Sequence, residues 1–212
     1  MDLFLLSALI SFLSLDTTIA FQVLISSPLF ACPLIGWLLG DVGLGFEMGF
    51  LFQLLWLGRI PAGAASVPEG NIASGVATAL VVLNQHLGFP NTAITLIFLE
   101  SIFVSYLAAY STILYRKING KILDLILKEL ESLHFKMMIL LEAASIIIYA
   151  LIMFMLVMVI LKLTQLFLPG VITGIGGLFE SQLVIIKPAI LGAGLAFVFP
   201  LFKQAFVKKM EI

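Results

Sequence analysis

The sequence predicts an all-α integral membrane protein, a bundle of roughly six to eight membrane segments that includes re-entrant or broken helices. Three observations carry this. Hydrophobic residues make up 62% of the 212 and charged residues only 11%, where a soluble domain holds about 25% charge. Mean hydropathy is +1.20, and a soluble fold of this size cannot hide so much apolar surface, because much of a small protein faces solvent. The apolar runs are continuous rather than alternating, which selects helices over a β-barrel. Glycine and proline interrupt several of these runs, and that is the mark of broken elements.

The same figures exclude whole classes. A net charge of −1 with a pI near 6.1 does not suit a nucleic-acid binder, and a soluble enzyme or a disordered chain would need far more polar residues. The single cysteine, Cys32, can form no disulfide within the chain and no cysteine metal site. The first basic residue is Arg59, so no signal-peptide n-region precedes the first apolar run, and that segment is expected to stay in the mature protein.

Taken in order, residues 3–15 are apolar and stop at Asp16. Residues 17–40 are long enough to span, but Ser26-Ser27-Pro28 and Pro33 interrupt them; a proline removes a backbone donor and kinks a helix. Residues 42–58 are apolar with Gly43, Gly45 and Gly49. Residues 59–71 have loop composition, yet residues 72–83 form another short apolar piece. Two short apolar pieces around a Pro/Gly-rich turn predict a re-entrant element, tolerated at membrane depth only where protein buries it or a wet cavity adjoins it.

Residues 91–115 read as a full crossing. Residues 116–136 hold five of the eleven Lys/Arg, and Ile118, Ile122, Leu125, Ile126, Leu130 and Leu133 form one stripe of period 3.6. This predicts a cytoplasmic amphipathic segment lying at the interface. Residues 137–161 read as a second crossing. Residues 163–183 read as broken at Pro169, Gly170, Gly174, Gly176 and Gly177, and residues 183–202 as apolar around Lys187, Pro188 and Pro200. The basic middle segment and the tail with Lys203, Lys208 and Lys209 should both be cytoplasmic, with residues 163–182 dipping in or staying outside. The whole, residues 1–212, reads as one permease domain.

Polar groups are costly in hydrocarbon and gather at pathways or bundle interiors. The densest group comprises Asp41, Glu47, Gln53, Arg59, Glu69 and Asn71. Carboxylates and amides beside an aromatic wall such as Trp56 suit a neutral, hydroxyl-bearing guest. Substrate-binding candidates are therefore Gln53, Glu69, Asn71, Asp41 and Glu47. Each has a plainer alternative. Asp41 can cap a helix after Gly40, Glu47 can serve as a structural partner, and Gln53 can bridge helices. Arg59 can snorkel at a helix end, while Glu69 and Asn71 stand at the foot of a short helix, where side chains and backbone N–H groups converge. Glu100 lies inside the 91–115 crossing, as an ion relay or as a satisfied interhelical carboxyl. His86 and His134 fall at segment ends. No hydrolase, phosphate-loop or metal motif is present, so neither catalytic residues, metal nor cofactor are assigned.

Pro28-Leu-Phe-Ala-Cys-Pro-Leu-Ile-Gly-Trp-Leu-Leu-Gly-Asp41, then Gly45-Phe-Glu-Met-Gly49, Leu57-Gly58 and Gly63-Ala-Ala-Ser-Val-Pro-Glu-Gly-Asn-Ile-Ala-Ser74 follow one another in a fixed order. This ordered set, over about residues 26–85, resembles the N-terminal signature of the IIC permease subunit of the mannose/fructose/sorbose family of the phosphoenolpyruvate-dependent sugar phosphotransferase system. The resemblance implies a subunit of the bacterial inner (cytoplasmic) membrane that works with a membrane IID subunit, in a higher-order oligomer. It passes a hexose inward while cytoplasmic IIA and IIB subunits relay the phosphoryl group, so the chain is not an enzyme by itself. The acidic residue of the Pro-acidic pair maps to Glu69. The polar position before Leu-Leu-Trp-Leu-Gly maps to Gln53, where the family pattern has a glutamate, and residues 163–212 read as a trimmed second half.

Two other readings stay open on the residues alone. One is a stand-alone transporter of a small polar solute, driven by H⁺ or Na⁺ through Glu100 or Asp41. The other is a membrane scaffold, which would tolerate neutral substitutions at the polar group.

Overall fold

The computed structural model describes residues 2–20, 23–57, 67–131 and 135–210. Among these the chain is all-helical: α1 (Leu3–Thr18), α2 (Pro28–Leu39), α3 (Val42–Trp56), α4 (Gly70–Asn84), α5 (Pro90–Glu131), α6 (Phe135–Phe179) and α7 (Ile186–Met210), with 3₁₀ turns at Gln85–Leu87 and Gln182–Ile185. Three helices are long and apolar enough to cross a membrane: Pro90–Lys128, Phe135–Phe179 and Gln182–Pro200.

α2 and α3 form a hairpin of two short helices; the re-entrant element is expected instead from residues 42–58 and 72–83, and residues 58–66 of the turn between them lie outside the described residues. α2 begins with Pro28 at its first position, where the missing N–H costs nothing. It ends at Gly40, whose φ of 95° only glycine adopts without strain. Asp41 then caps α3, its side chain accepting from Leu44 N at 2.9 Å. At 1.5 Å per residue the 12 and 15 residues of these helices reach only about 18 and 22 Å, short of the ~30 Å hydrocarbon layer. Their backbones touch. A Cβ on Gly45 would lie 2.6 Å from the Cys32 carbonyl oxygen, and one on Gly49 would lie 2.6 Å from that of Pro28. The glycine spacing therefore serves close approach, and Pro33 sits inside α2 without ending it.

α4 is the hub. Nearly all of its residues are buried, and it packs against α1, α2, α3, α5 and α6. Ile72, Val76 and Leu80 from α4 join Ile10, Phe52 and Ile97 in one core. Small and apolar residues fill most of the helix, and its polar ones, Asn71, Ser74, Thr78 and Asn84, are hydrogen-bonded, which lets it be enclosed. α5 pairs with α6, α1 with α6, and α7 with α3.

Two expectations are corrected. α6 runs unbroken through Pro169, so residues 163–179 are one continuous helix rather than a broken segment. Pro169 leaves the Gln165 carbonyl without its backbone donor, a single loss that a membrane helix tolerates; separately, the Thr173 hydroxyl donates to the Pro169 carbonyl at 3.0 Å. Gly170, Gly174 and Gly177 have open space around them, and only Gly176 meets a neighbour, the Phe89 ring. Likewise, residues 116–131 continue α5 rather than forming a separate interfacial helix. The change in charge marks where the helix leaves apolar surroundings, and no proline ends it. Of its stripe, Ile118 and Leu125 are exposed and Ile122 and Ile126 half-buried; the side chains of Leu130 and Leu133 lie outside the described residues, as does His134. Two helices long and apolar enough to cross a membrane, Phe135–Phe179 and Gln182–Pro200, lie between the basic segment and the tail.

Candidate functional site

A cavity of about 410 Å³ opens where the first residue of α2, the end of α3 and the start of α4 meet, within the ~300–1,000 Å³ of small-molecule sites. Gln53, Glu69 and Asn71 all line it, together with Thr17, Leu24, Ser27, Trp56 and Pro68. The structure thus brings together three of the five candidate residues, Gln53 from α3 and Glu69 and Asn71 from the start of α4. Arg59 and the 63–66 part of the quoted motif lie outside the described residues.

Each side chain has a structural reason for its place. Gln53 stands one turn from the end of α3, and its Oε1 accepts from the Leu29 backbone N–H at 3.2 Å. It thereby satisfies an orphan donor of the first turn of α2. Glu69 precedes α4 and is buried; its backbone N–H donates to the Ser105 carbonyl at 3.0 Å. Its Oε1 accepts from the Thr112 hydroxyl at 3.1 Å, and the Arg116 charge one turn further on acts favourably on it. Trp56 packs on Gly70, where any side chain would overlap the ring. The buried Trp56 Nε1 has no partner among the described residues, which leaves an unmet donor in the cavity wall.

Asn71 belongs to a network that sequence reasoning missed. Its Nδ2 donates to Ser26 Oγ at 3.0 Å. Ser26 Oγ in turn donates to Asp16 Oδ2 at 3.1 Å, and that oxygen also accepts from Ser26 N at 3.1 Å. Asp16 Oδ1 accepts from Val23 N at 2.8 Å. Asp16 is 4% exposed and Ser26 2%. Asp16 read from sequence as the residue that ends an apolar run. The available signal was its isolation: a carboxylate with no neighbouring base in so apolar a stretch needs donors, and only the following turn can supply them. Beneath Asn71 a second void of about 10 Å³, bordered by Ser14 and Ser26, has room for a single water.

The other two candidates stand elsewhere. Asp41 is a helix cap at the far end of the α2–α3 hairpin, about 18 Å from the cavity by helix rise. Glu47 pairs with Lys187 of α7 at 2.5 Å, both half-exposed. Glu100 accepts from the Thr164 hydroxyl of α6 and borders a separate, more open groove of about 470 Å³ with Leu96, Leu163 and Phe167.

A family model described as the sorbose-specific IIC component of the phosphotransferase system matches residues 2–207. Shorter stretches resemble individual proteins. The sorbose-specific EIIC component of Lacticaseibacillus casei is 38% identical over 58 residues, 27% of this chain and 21% of that one. The mannose-specific EIIC component of Escherichia coli K12 is 39% identical over 62 residues, 29% of this chain and 23% of that one. The fructose permease IIC component of Bacillus subtilis is 42% identical over 55 residues, 26% of this chain and 20% of that one. The aligned part thus spans about a fifth of the length of these relatives. A solved membrane-protein structure superposes with a TM-score of 0.71 at 22% identity, covering 98% of this chain and 84% of the other; that likeness concerns the fold.

Proposed function

The chain belongs to the family of sorbose-specific IIC components of the phosphotransferase system, and from that premise we propose that it is a sugar permease subunit which binds a hexose-type sugar in the 410 Å³ cavity and passes it inward. The observation that carries this reading is the convergence of Gln53, Glu69 and Asn71 on one void beside Trp56. Two amides and a carboxylate supply donors and acceptors for hydroxyls, and the indole supplies an apolar face for the ring's C–H groups.

The binding chemistry is bond-free on this chain. Glu69 is anchored to α5 through Ser105 and, at Oε1, Thr112, and its second oxygen is the one that would accept a sugar hydroxyl. Basic segments mark the cytoplasmic side, and Thr112 precedes Arg116, the first residue of the basic segment, by one turn. On this reading the cavity lies toward the inner leaflet of a bacterial cytoplasmic membrane, where a bound sugar is within reach of soluble subunits. Phosphoryl transfer then falls to IIA- and IIB-type subunits, and a IID-type membrane subunit within a higher-order oligomer completes the pathway.

The test is uptake of D-mannose, D-fructose and L-sorbose into cells expressing the chain with its partner subunits. Glu69→Gln should keep membrane insertion and lower uptake about tenfold, the loss of one hydrogen bond to a charged acceptor. Unchanged uptake at normal expression would remove Glu69 from the site.

A further inference from the structure

We propose that Asp16 is a positioning residue for this cavity: acting through Ser26, it fixes which end of the Asn71 amide is offered to the guest. The proposal rests on the reading of the cavity as the sugar site and deepens it.

The direction of each hydrogen bond follows from valence. An ionised carboxylate only accepts. Asp16 takes the Val23 N–H at 2.8 Å, the Ser26 N–H at 3.1 Å and the Ser26 hydroxyl at 3.1 Å. A serine has one hydroxyl hydrogen, and here it is committed to Asp16. The Ser26 oxygen can then only accept from its remaining neighbour, the Asn71 amide 3.0 Å away. That neighbour must present Nδ2, so Oδ1 is the end left for a guest. The orientation of the amide follows from these partners.

Gln53 is polarised in the opposite sense by the start of a helix. Because the Leu29 N–H donates to its Oε1, its Nε2 remains to donate. The cavity thus offers an acceptor at Asn71 and a donor at Gln53. A guest with hydroxyls at both places matches, since each hydroxyl donates and accepts. A guest whose oxygen at Asn71 is methylated has no hydrogen to give and is rejected. Asp16 also holds the turn at 23–26, where Leu24 has φ 67°, so a role limited to tethering that turn has to be told apart from the relay.

An exchange of charge separates the two. KM for uptake of D-mannose, D-fructose and L-sorbose is measured in cells with the partner subunits present, for Asp16→Asn, Asn71→Asp and the double variant. Each single variant should raise KM about tenfold, one hydrogen bond's worth. The double variant moves the acceptor-only group to the other end of the relay and lets Ser26 reverse, at the cost of the Ser26 N–H bond to residue 16, so KM should return part of the way, clearly below the product of the two single effects. A tether alone gives no such rescue, and KM changes that multiply in the double variant overturn the proposal. If Asp16→Asn fails to insert, Ser26→Ala decides, because it removes the relay and keeps both backbone N–H bonds to Asp16. It should raise KM about tenfold at normal expression, and an unchanged KM overturns the proposal. If wild type itself shows no saturable uptake of any of the three sugars, the permease reading fails. The relay is then judged from the thermal unfolding temperatures of the same four proteins: non-additive shifts support it and additive shifts overturn it.

Discussion

Trp56 and Gly70 share one packing position: the indole of α3 occupies the volume that a side chain at the first residue of α4 would need. This contact closes one wall of the cavity and sets the spacing between the two helices on either side of residues 57–69.

Replacing Gly70 with alanine should therefore drive the indole from its seat. The overlap is with ring atoms rather than with the end of a flexible chain, so the ring or the helix has to move, at a cost of about 1–3 kcal/mol. In a Trp37→Phe background, which leaves Trp56 as the only tryptophan of the two, Gly70→Ala should red-shift the emission and lower sugar uptake. An unshifted spectrum would mean that the wall accommodates the methyl group.

Two glycine-to-alanine substitutions test whether glycine here means packing or helix breaking. Gly45→Ala pushes a methyl to 2.6 Å from the Cys32 carbonyl and should lower stability by about 1–3 kcal/mol. Gly174 of α6 has nothing within 4 Å. There alanine should be neutral or raise stability by up to about 1 kcal/mol through helix propensity. Thermal unfolding of the two variants in the same detergent distinguishes them, and equal effects would refute the packing assignment.

Glu180, between α6 and the second 3₁₀ turn, caps the start of α5. It accepts from the Asn91 and Thr92 backbone N–H groups at 2.8 and 2.9 Å and from the Thr92 hydroxyl at 2.8 Å. Desolvation alone would raise its pKa, but these bonds outweigh it and hold the carboxyl below the usual glutamate range. A depressed carboxylate stabilises the fold above the unfolded glutamate pKa, and that contribution is lost as pH falls through the lower folded value. Wild type should unfold at a higher temperature than Glu180→Gln at neutral pH, and the gap should narrow as the buffer is taken below about pH 4. A pH-independent gap would mean that the charge is not what matters at this cap.

Asp41 and Glu47, which do not line the cavity, give a negative control. Asp41→Ala should remove a cap worth about 1 kcal/mol, and Glu47→Gln should remove a half-exposed ion pair worth about 0–1 kcal/mol. Neither should change the KM for sugar. Glu100→Gln extends the control: uptake that falls with this variant and collapses with an uncoupler, regardless of phosphoenolpyruvate, would favour ion coupling through the second groove.

Much of this protein was legible in the chain. The hydropathy pattern and length set the helical membrane class, because lipid admits few ways to satisfy a backbone. Asp41 after Gly40 marked the start of a helix, since a capping carboxylate is a local device; the hairpin was not legible, because residues 17–40 read as one run long enough to span and instead hold the end of α1, a turn and α2. Misreadings arose where a local signal has two meanings. Glycine and proline in α6 read as breaks, yet the helix continues through Pro169, since one missing backbone bond is a small loss in a helix of 45 residues. The charges after Tyr115 read as a new element, yet α5 simply continues beyond the apolar layer. Among the polar residues, Gln53, Glu69 and Asn71 could be nominated as a group because their surroundings are apolar.

The sequence by itself determined the class of the molecule, the capped start of α3 at Asp41 and the pool of polar residues from which a site could be made. Those follow from composition and from contacts within a few residues, where chain geometry leaves little choice. Only the tertiary structure decided which members of that pool meet. Asp41 and Glu47 lie as near to Gln53 along the chain as Glu69 and Asn71 do, but a hairpin carries one end of a helix away from the other. The Asp16 carboxylate reaches Asn71 across 55 positions of sequence through a single serine, and no pattern of neighbours along the chain encodes a distance that depends on how three helix ends pack.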